Sequence, residues 1–238
     1  MAQIEVYRAL PEHIDIDTHR AQLVNQEANH LIRVRRSRPG EQLIVIDGLG
    51  SAWKARLLSG DHKEATLELG EHFDSWHEPP VRVKLGLCVL KSDHFETAVD
   101  LCVQAGVREI SPLISRYTVA KWPDYRAARC GRIALAAAKQ CGRGFLPPLR
   151  NAQPYDRWCI QEEANDLKLL LDVDGDSFPC PPVGQNIVIA IGPEGGFADE
   201  EIETFQQHGF LRVRLGSRRL RSETAAVLAV AQAVTANE

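Results

Sequence analysis

The chain has 238 residues, 44% of them apolar, enough to bury one large core or two unequal ones. A net charge of −4 excludes a protein that grips nucleic acid by bulk positive charge. The amino terminus carries charges from Glu5 onward, and no stretch approaches the roughly 18 consecutive apolar residues of a membrane span, so a soluble, cytoplasmic protein is expected.

From the amino end, ANHLIRVRRSRPG crowds Arg33, Arg35, Arg36 and Arg38 ahead of Pro39-Gly40. This is either a solvated basic helix end or a contact to RNA phosphates. Residues 41–70 read as a β-meander: EQLIVID, SAWKARLLS and KEATLELG, with turns at Gly48-Leu49-Gly50 and Gly60-Asp61. A small barrel or sandwich follows from such short strands. Glu78-Pro79-Pro80 then stiffens and interrupts the chain, dividing it into 1–76 and 77–238.

Beyond the linker, apolar strands alternate with helices. VRVKLGLCVL is followed by the amphipathic FETAVDLCVQAGV, closed by Gly106, then by REISPLI and a long helix from Asp124 to Gln140. Strands at LKLLLDV, NIVIAI and FLRVRLG continue the rhythm, which predicts an α/β domain on a mostly parallel sheet. Segments 1–76, 77–150 and 151–238 hold 9 basic against 12 acidic residues, 12 against 6, and 7 against 14, so they carry −3, +6 and −7. In the long helix Arg126, Arg129 and Arg132 recur every third position, along one side of the cylinder. That face is expected to be exposed and, with Lys121, Lys139, Arg143 and Arg150, to meet RNA backbone; internal ion pairing and plain solvation are the alternatives.

The stretch IGPEGGFADEE, residues 191–201, follows the uninterrupted apolar strand NIVIAI. Such a strand is covered by helices on both faces, and its carboxyl end is where open α/β sheets bind ligands. Gly192, Gly195 and Gly196 let a ligand approach the main chain, and Pro193 fixes the entry. A helix from about Asp199 to His208, capped by Gly209, comes next. Phosphate is the usual guest of such a loop, but Glu194, Asp199, Glu200, Glu201 and Glu203 repel an anion and neither GxGxxG nor GxxxxGK[ST] is present. Asp199 to Glu203 offset the helix dipole, whereas Glu194 lies inside the loop and suits a neutral or cationic ligand. FLRVRLG turns at Leu215-Gly216 into a second, alanine-rich helix whose start Ser222 or Thr224 can cap. Arg218, Arg219 and Arg221 oppose the dipole there and need a partner, either the loop acids or RNA.

IGPEGG, LGSRRLRSETA, AAAKQCGR and HLIRVRRSRPGEQL together resemble the bacterial 16S ribosomal RNA (uridine 1498 N3) methyltransferases of the SPOUT superfamily. LRSETA begins 24 positions after Gly196, and the resemblance spans nearly the whole chain. It implies an amino-terminal PUA-like β-barrel that binds RNA, followed by a SPOUT α/β domain with a carboxyl-terminal trefoil knot. It further implies a homodimer acting on 16S ribosomal RNA in the small subunit, with S-adenosylmethionine as donor. Matching positions place Ile191, Gly192, Pro193, Glu194, Gly195, Gly196, Leu215, Gly216, Leu220, Thr224 and Ala225 around the donor, with Arg221 and Glu223 as catalytic residues at its mouth. Arg33, Arg35, Arg36, Arg126, Arg129, Arg132, Arg143, Arg218 and Arg219 are the expected RNA contacts. The chain departs from the pattern at Leu101, Gln104 and Lys139, where relatives carry lysine, glutamate and glutamate, and at Ala198, where a helix-capping serine is common. A non-catalytic RNA-binding or ribosome-assembly factor of the same fold is the alternative. The six cysteines form no CxxC and the eight histidines no HExxH, so no metal site is expected.

Overall fold

A computed structural model describes residues 5–182 and 184–236; residues 1–4, 183 and 237–238 of the expected domain spans lie outside the described residues. The chain divides into one unit of Met1–Glu78 with Ala138–Leu146, and a second of Pro79–Ala137 with Pro147–Glu238.

The first unit holds a six-stranded sheet in the order β1-β4-β5-β6-β3-β2. Its elements are β1 (Val6–Arg8), β2 (Ile14–Asp15), β3 (Arg20–Val24), α1 (Gln26–Asn29), β4 (Gln42–Ile46), β5 (Ala52–Gly60) and β6 (Glu64–Phe73). All pairings are antiparallel except β1 with β4. Alternate residues of β5 and β6 point inward, so Ala55, Leu57, Ala65, Leu67 and Leu69 join Tyr7, Leu23, Leu31 and Leu43 in one buried core. The meander is therefore as its alternation predicts. Helix α1 runs on through a π-helical turn at His30–Val34, and it leaves Arg33, Arg35 and Arg36 exposed; Arg35 reaches Glu5 at 3.5 Å.

One expected RNA contact does not survive here. Arg143 is buried and grips Glu78 through Nε at 3.1 Å and Nη2 at 2.6 Å, because a sequestered carboxylate needs a planar, forked partner. Lys139 likewise reaches Glu27 at 2.7 Å.

The second unit is built on a parallel sheet in the order β12-β10-β11-β7-β8-β9. In chain order it runs β7 (Arg82–Cys88), α2 (His94–Gln104), β8 (Glu109–Ile114), α3 (Asp124–Cys141, whose end belongs to the first unit), β9 (Gln153–Pro154), α4 (Tyr155–Gln161), β10 (Leu167–Ser177), β11 (Asn186–Ile191), α5 (Asp199–Gln207), β12 (Leu211–Arg214) and α6 (Ser222–Thr235). Strand β11 is buried from Ile187 to Ile191, as an inner parallel strand must be. Gly86 in β7 is there for space: a Cβ would lie 2.5 Å from the Trp158 ring. Ala226, Ala229, Val230 and Ala233 form the buried stripe of α6, which packs on α2, β7 and β11. Among the described residues no helix is long and apolar enough to cross a membrane.

The arginine stripe of α3 divides. Arg129 and Arg132 are exposed, but Arg126 is buried beside Glu96, which corrects its expected RNA contact. Three residues are 300° of helical turn, so a row at that spacing drifts around the cylinder, and its first member faces α2. The Arg126 guanidinium meets the Glu96 carboxylate at 3.1 and 2.9 Å and donates to the Leu90 and Ser92 carbonyls, each at 2.9 Å. It thus clamps the loop before α2. Arg126→Met leaves a buried carboxylate unpaired and should cost about 3–5 kcal/mol in denaturant unfolding, whereas exposed Arg129→Met should stay within about 0.5 kcal/mol.

Candidate functional site

The loops that leave β11 and β12, with the middle of β10 between them, enclose a cleft of about 660 Å³. Cavities of this size accept a cofactor-sized molecule. Residues 191–197 make one wall, residues 214–216, 218–223 and 225 a second, and Leu171–Val173 a third. Gly196 has φ +75° and Gly216 φ +131°, backbone that a side chain would strain. A Cβ on Gly192 would stand 3.0 Å from the Gly196 carbonyl carbon, so the loop doubles back as bare main chain.

Carboxylates hold this loop. Glu201, buried in the first turn of α5, accepts the Ala198 N–H at 2.8 Å and the Arg116 N–H at 2.7 Å. Ala198 has no side-chain acceptor, yet the return half of a capping box is kept by Glu201. The exposed Glu194 accepts the Lys91 N–H at 2.9 Å, while its own carbonyl receives Arg219 at 3.4 Å. Glu194 therefore ties the glycine loop to the segment before α2.

Opposite lies the start of α6. Arg221 takes the cap position without a side-chain cap, so neither Ser222 nor Thr224 caps the helix as expected; Ser222 is already helical and buried. Glu223 is largely covered, its side chain 13% exposed, with His94 Nδ1 at 3.0 Å and Arg221 Nη1 at 4.0 Å from one carboxylate oxygen.

Of the expected donor residues, Ile191, Gly192, Pro193, Glu194, Gly195, Gly196, Leu215, Gly216, Leu220 and Ala225 lie along the cleft, as do Arg218, Arg219, Arg221 and Glu223. Thr224 is exposed on the first turn of α6 and does not line the cleft. The sequence reading missed His94, Leu171, Asp172, Val173, Phe197 and Arg214. Asp172 and its neighbours enter because β10 lies between β11 and β12, an adjacency that LKLLLDV does not carry. Asp172 is answered by Arg212 at 2.7 Å. No motif announces His94.

Chemically, the cleft offers apolar walls, bare backbone and charges of both signs, but no activated thiol. Cys88, at the end of β7, is buried, and desolvation pushes its thiol up to about 12. Among the described residues no group of three or more His, Cys, Asp or Glu is placed to hold a metal.

Comparison with known proteins agrees with this geometry. Residues 77–234 match the RNA methyltransferase domain family and residues 23–70 the RNA methyltransferase PUA domain family, so fold and cleft are those of an RNA methyltransferase of SPOUT type with a PUA-like domain. A relative from Mesomycoplasma hyopneumoniae is 32% identical over 216 residues, covering 89% of this chain and 92% of its own. One from Synechocystis sp. is 31% identical over 217 residues, covering 88% and 71%. Both are ribosomal RNA small subunit methyltransferase E, and the chain belongs to that family. The Neisseria gonorrhoeae member, solved bound to S-adenosyl methionine, superposes with a TM-score of 0.87 at 28% identity over 96% of both chains.

Replacing Glu201 by Ala strands two backbone donors under the glycine loop. The expected loss is about 2–4 kcal/mol, with faster amide hydrogen exchange confined to residues 192–198 and 116.

Proposed function

We propose that this protein methylates N3 of uridine 1498 of 16S ribosomal RNA with S-adenosylmethionine, as a cytoplasmic homodimer acting on the assembled small subunit, its last strand and helix threaded as a trefoil knot. The observation that carries the reading is the cleft itself, where two glycine turns present main chain beside apolar walls and carboxylates. Those residues fit the donor: Leu171, Ile191, Phe197 and Leu220 suit a flat heterocycle, bare backbone suits its polar edges, and Glu194 and Glu223 suit a cation. When bound, S-adenosylmethionine supplies a methyl group on a sulfonium that needs no protein nucleophile.

The chain's own work is then positioning and charge. Holding a uridine edge in line with the methyl carbon can supply several kcal/mol of the barrier. Arg221, exposed at the cleft mouth and near Glu223, stabilises the negative charge that develops as N3 loses its proton. Arg218 and Arg219 at the rim, Arg129 and Arg132 on α3, and Arg33, Arg35 and Arg36 in the first unit are the exposed cations that meet RNA phosphates. With a net charge of −4, these patches recognise a folded particle better than a short strand.

Labelled methyl transfer onto small subunits, mapped to a nucleotide and atom, tests the reading. Modification at N3 of uridine 1498 supports it; RNA binding without transfer makes the protein a non-catalytic RNA-binding or assembly factor. Arg221→Ala should slow single-turnover transfer by about 10²–10³-fold. Glu194→Gln keeps an acceptor for Lys91 but removes the charge, so calorimetry should show weaker donor binding with the chemical step little changed.

A further inference from the structure

A carboxylate is a poor acceptor for the proton of a uridine N3, which ionises well above neutral pH, whereas an imidazole titrates near neutrality in its ordinary state. The cleft contains one histidine, and it is not alone. His94 is the first residue of α2, and its Nδ1 lies 3.0 Å from the Oε1 of Glu223 in the first turn of α6. Both residues line the cleft, with the His94 side chain 37% exposed and Glu223 only 13%, so the ring is the more open of the two to a guest. With Nδ1 committed to the carboxylate, Nε2 is the nitrogen left for a guest.

The surroundings fix this arrangement from two sides. Helices α2 and α6 pack together, which sets the separation of His94 from Glu223. The segment just before His94 is pinned by Arg126 at the Leu90 and Ser92 carbonyls and by Glu194 at the Lys91 N–H. Three contacts thus fix the backbone just before His94, and one, from Glu223, reaches the ring itself.

We infer that His94 and Glu223 form a dyad in which Glu223 orients the imidazole through Nδ1 and Nε2 of His94 takes the N3 proton of the target uridine. This rests on the uridine-N3 reading. As the N3–methyl bond forms, the carbon–sulfur bond breaks with its electron pair going to sulfur. The N3–H pair stays on nitrogen, and the proton moves to Nε2 and is later released to water. The imidazolium formed is faced by the Glu223 carboxylate, and Arg221, 4.0 Å from the same oxygen, faces the uridine anion. Glu223 becomes a positioning residue and His94 the catalytic base. The other charged groups next to His94 in the chain or along the cleft are Asp93 and Lys91 before α2, Glu194 in the glycine loop, Asp172 within β10, Arg214 ending β12, and Arg218 and Arg219 before α6.

The test compares wild type, His94→Gln and Glu223→Gln in single-turnover transfer across pH, on small subunits reconstituted with uridine or with 5-fluorouridine, whose N3 is more acidic. His94→Gln should lose roughly 10²–10⁴-fold at neutral pH, gain rate steadily as pH rises, and recover at least tenfold with 5-fluorouridine, while wild type gains little. Nitrogen-15 histidine spectra of the free protein give a readout apart from turnover: His94 should be the Nδ1–H tautomer, and Glu223→Gln should redistribute it. Donor affinity of His94→Gln should stay within threefold of wild type. A His94→Gln rate within threefold of wild type, a loss that 5-fluorouridine does not relieve, or an Nε2–H tautomer overturns the dyad and leaves the methyltransferase reading standing. Wild-type modification at an atom other than N3 overturns both.

Discussion

Parallel pairing is the constraint on which the site depends. With β12, β10, β11 and β7 side by side and pointing the same way, their carboxyl ends and the loops after them must gather at one edge. The apolar interior of β11 anchors that edge, since Ile187 to Ile191 are buried from both sides. What lines the cleft is the middle of β10, chain leaving β11 and β12, and the helix starts packed against them.

Charge is used twice in this protein, and the two uses separate by burial. Arg126 and Arg143 are committed to Glu96 and Glu78 in water-poor surroundings, where an unpaired partner would be costly. Lys139 and Arg150 answer Glu27 and Glu109. Lys84 and Lys139 are answered by Glu162 and Glu27 from outside the middle segment, so part of its +6 is paired within the fold, while Arg129 and Arg132 stay exposed.

The sequence made the fold legible wherever periodicity or a glycine turn carried it. Alternation identified β5 and β6, the apolar run identified β11 to the residue, and the amphipathic helices α2 and α3 differ from expectation only at their ends. Short elements such as β1, β2, β9 and α4 were not legible, because two to seven residues hold too little pattern to stand above loop chemistry. The two glycine turns of the site were visible as motifs, but their third wall was not, since strand order is a long-range property and Asp172 has no local signature. His94 was hidden for the same reason: its partner Glu223 is remote in sequence and meets it only through the packing of α2 on α6. Arg126 misled because spacing tells which side of a helix a residue occupies and not which side faces water.

The central claim is that the cleft between residues 191–197 and 214–225 is built for S-adenosylmethionine. Crystals grown without ligand and soaked in the donor test it most directly. Density for the donor with its heterocycle between the two glycine turns is the predicted result. A cleft that stays empty at saturating donor, or that takes up a polyphosphate in its place, would contradict the account.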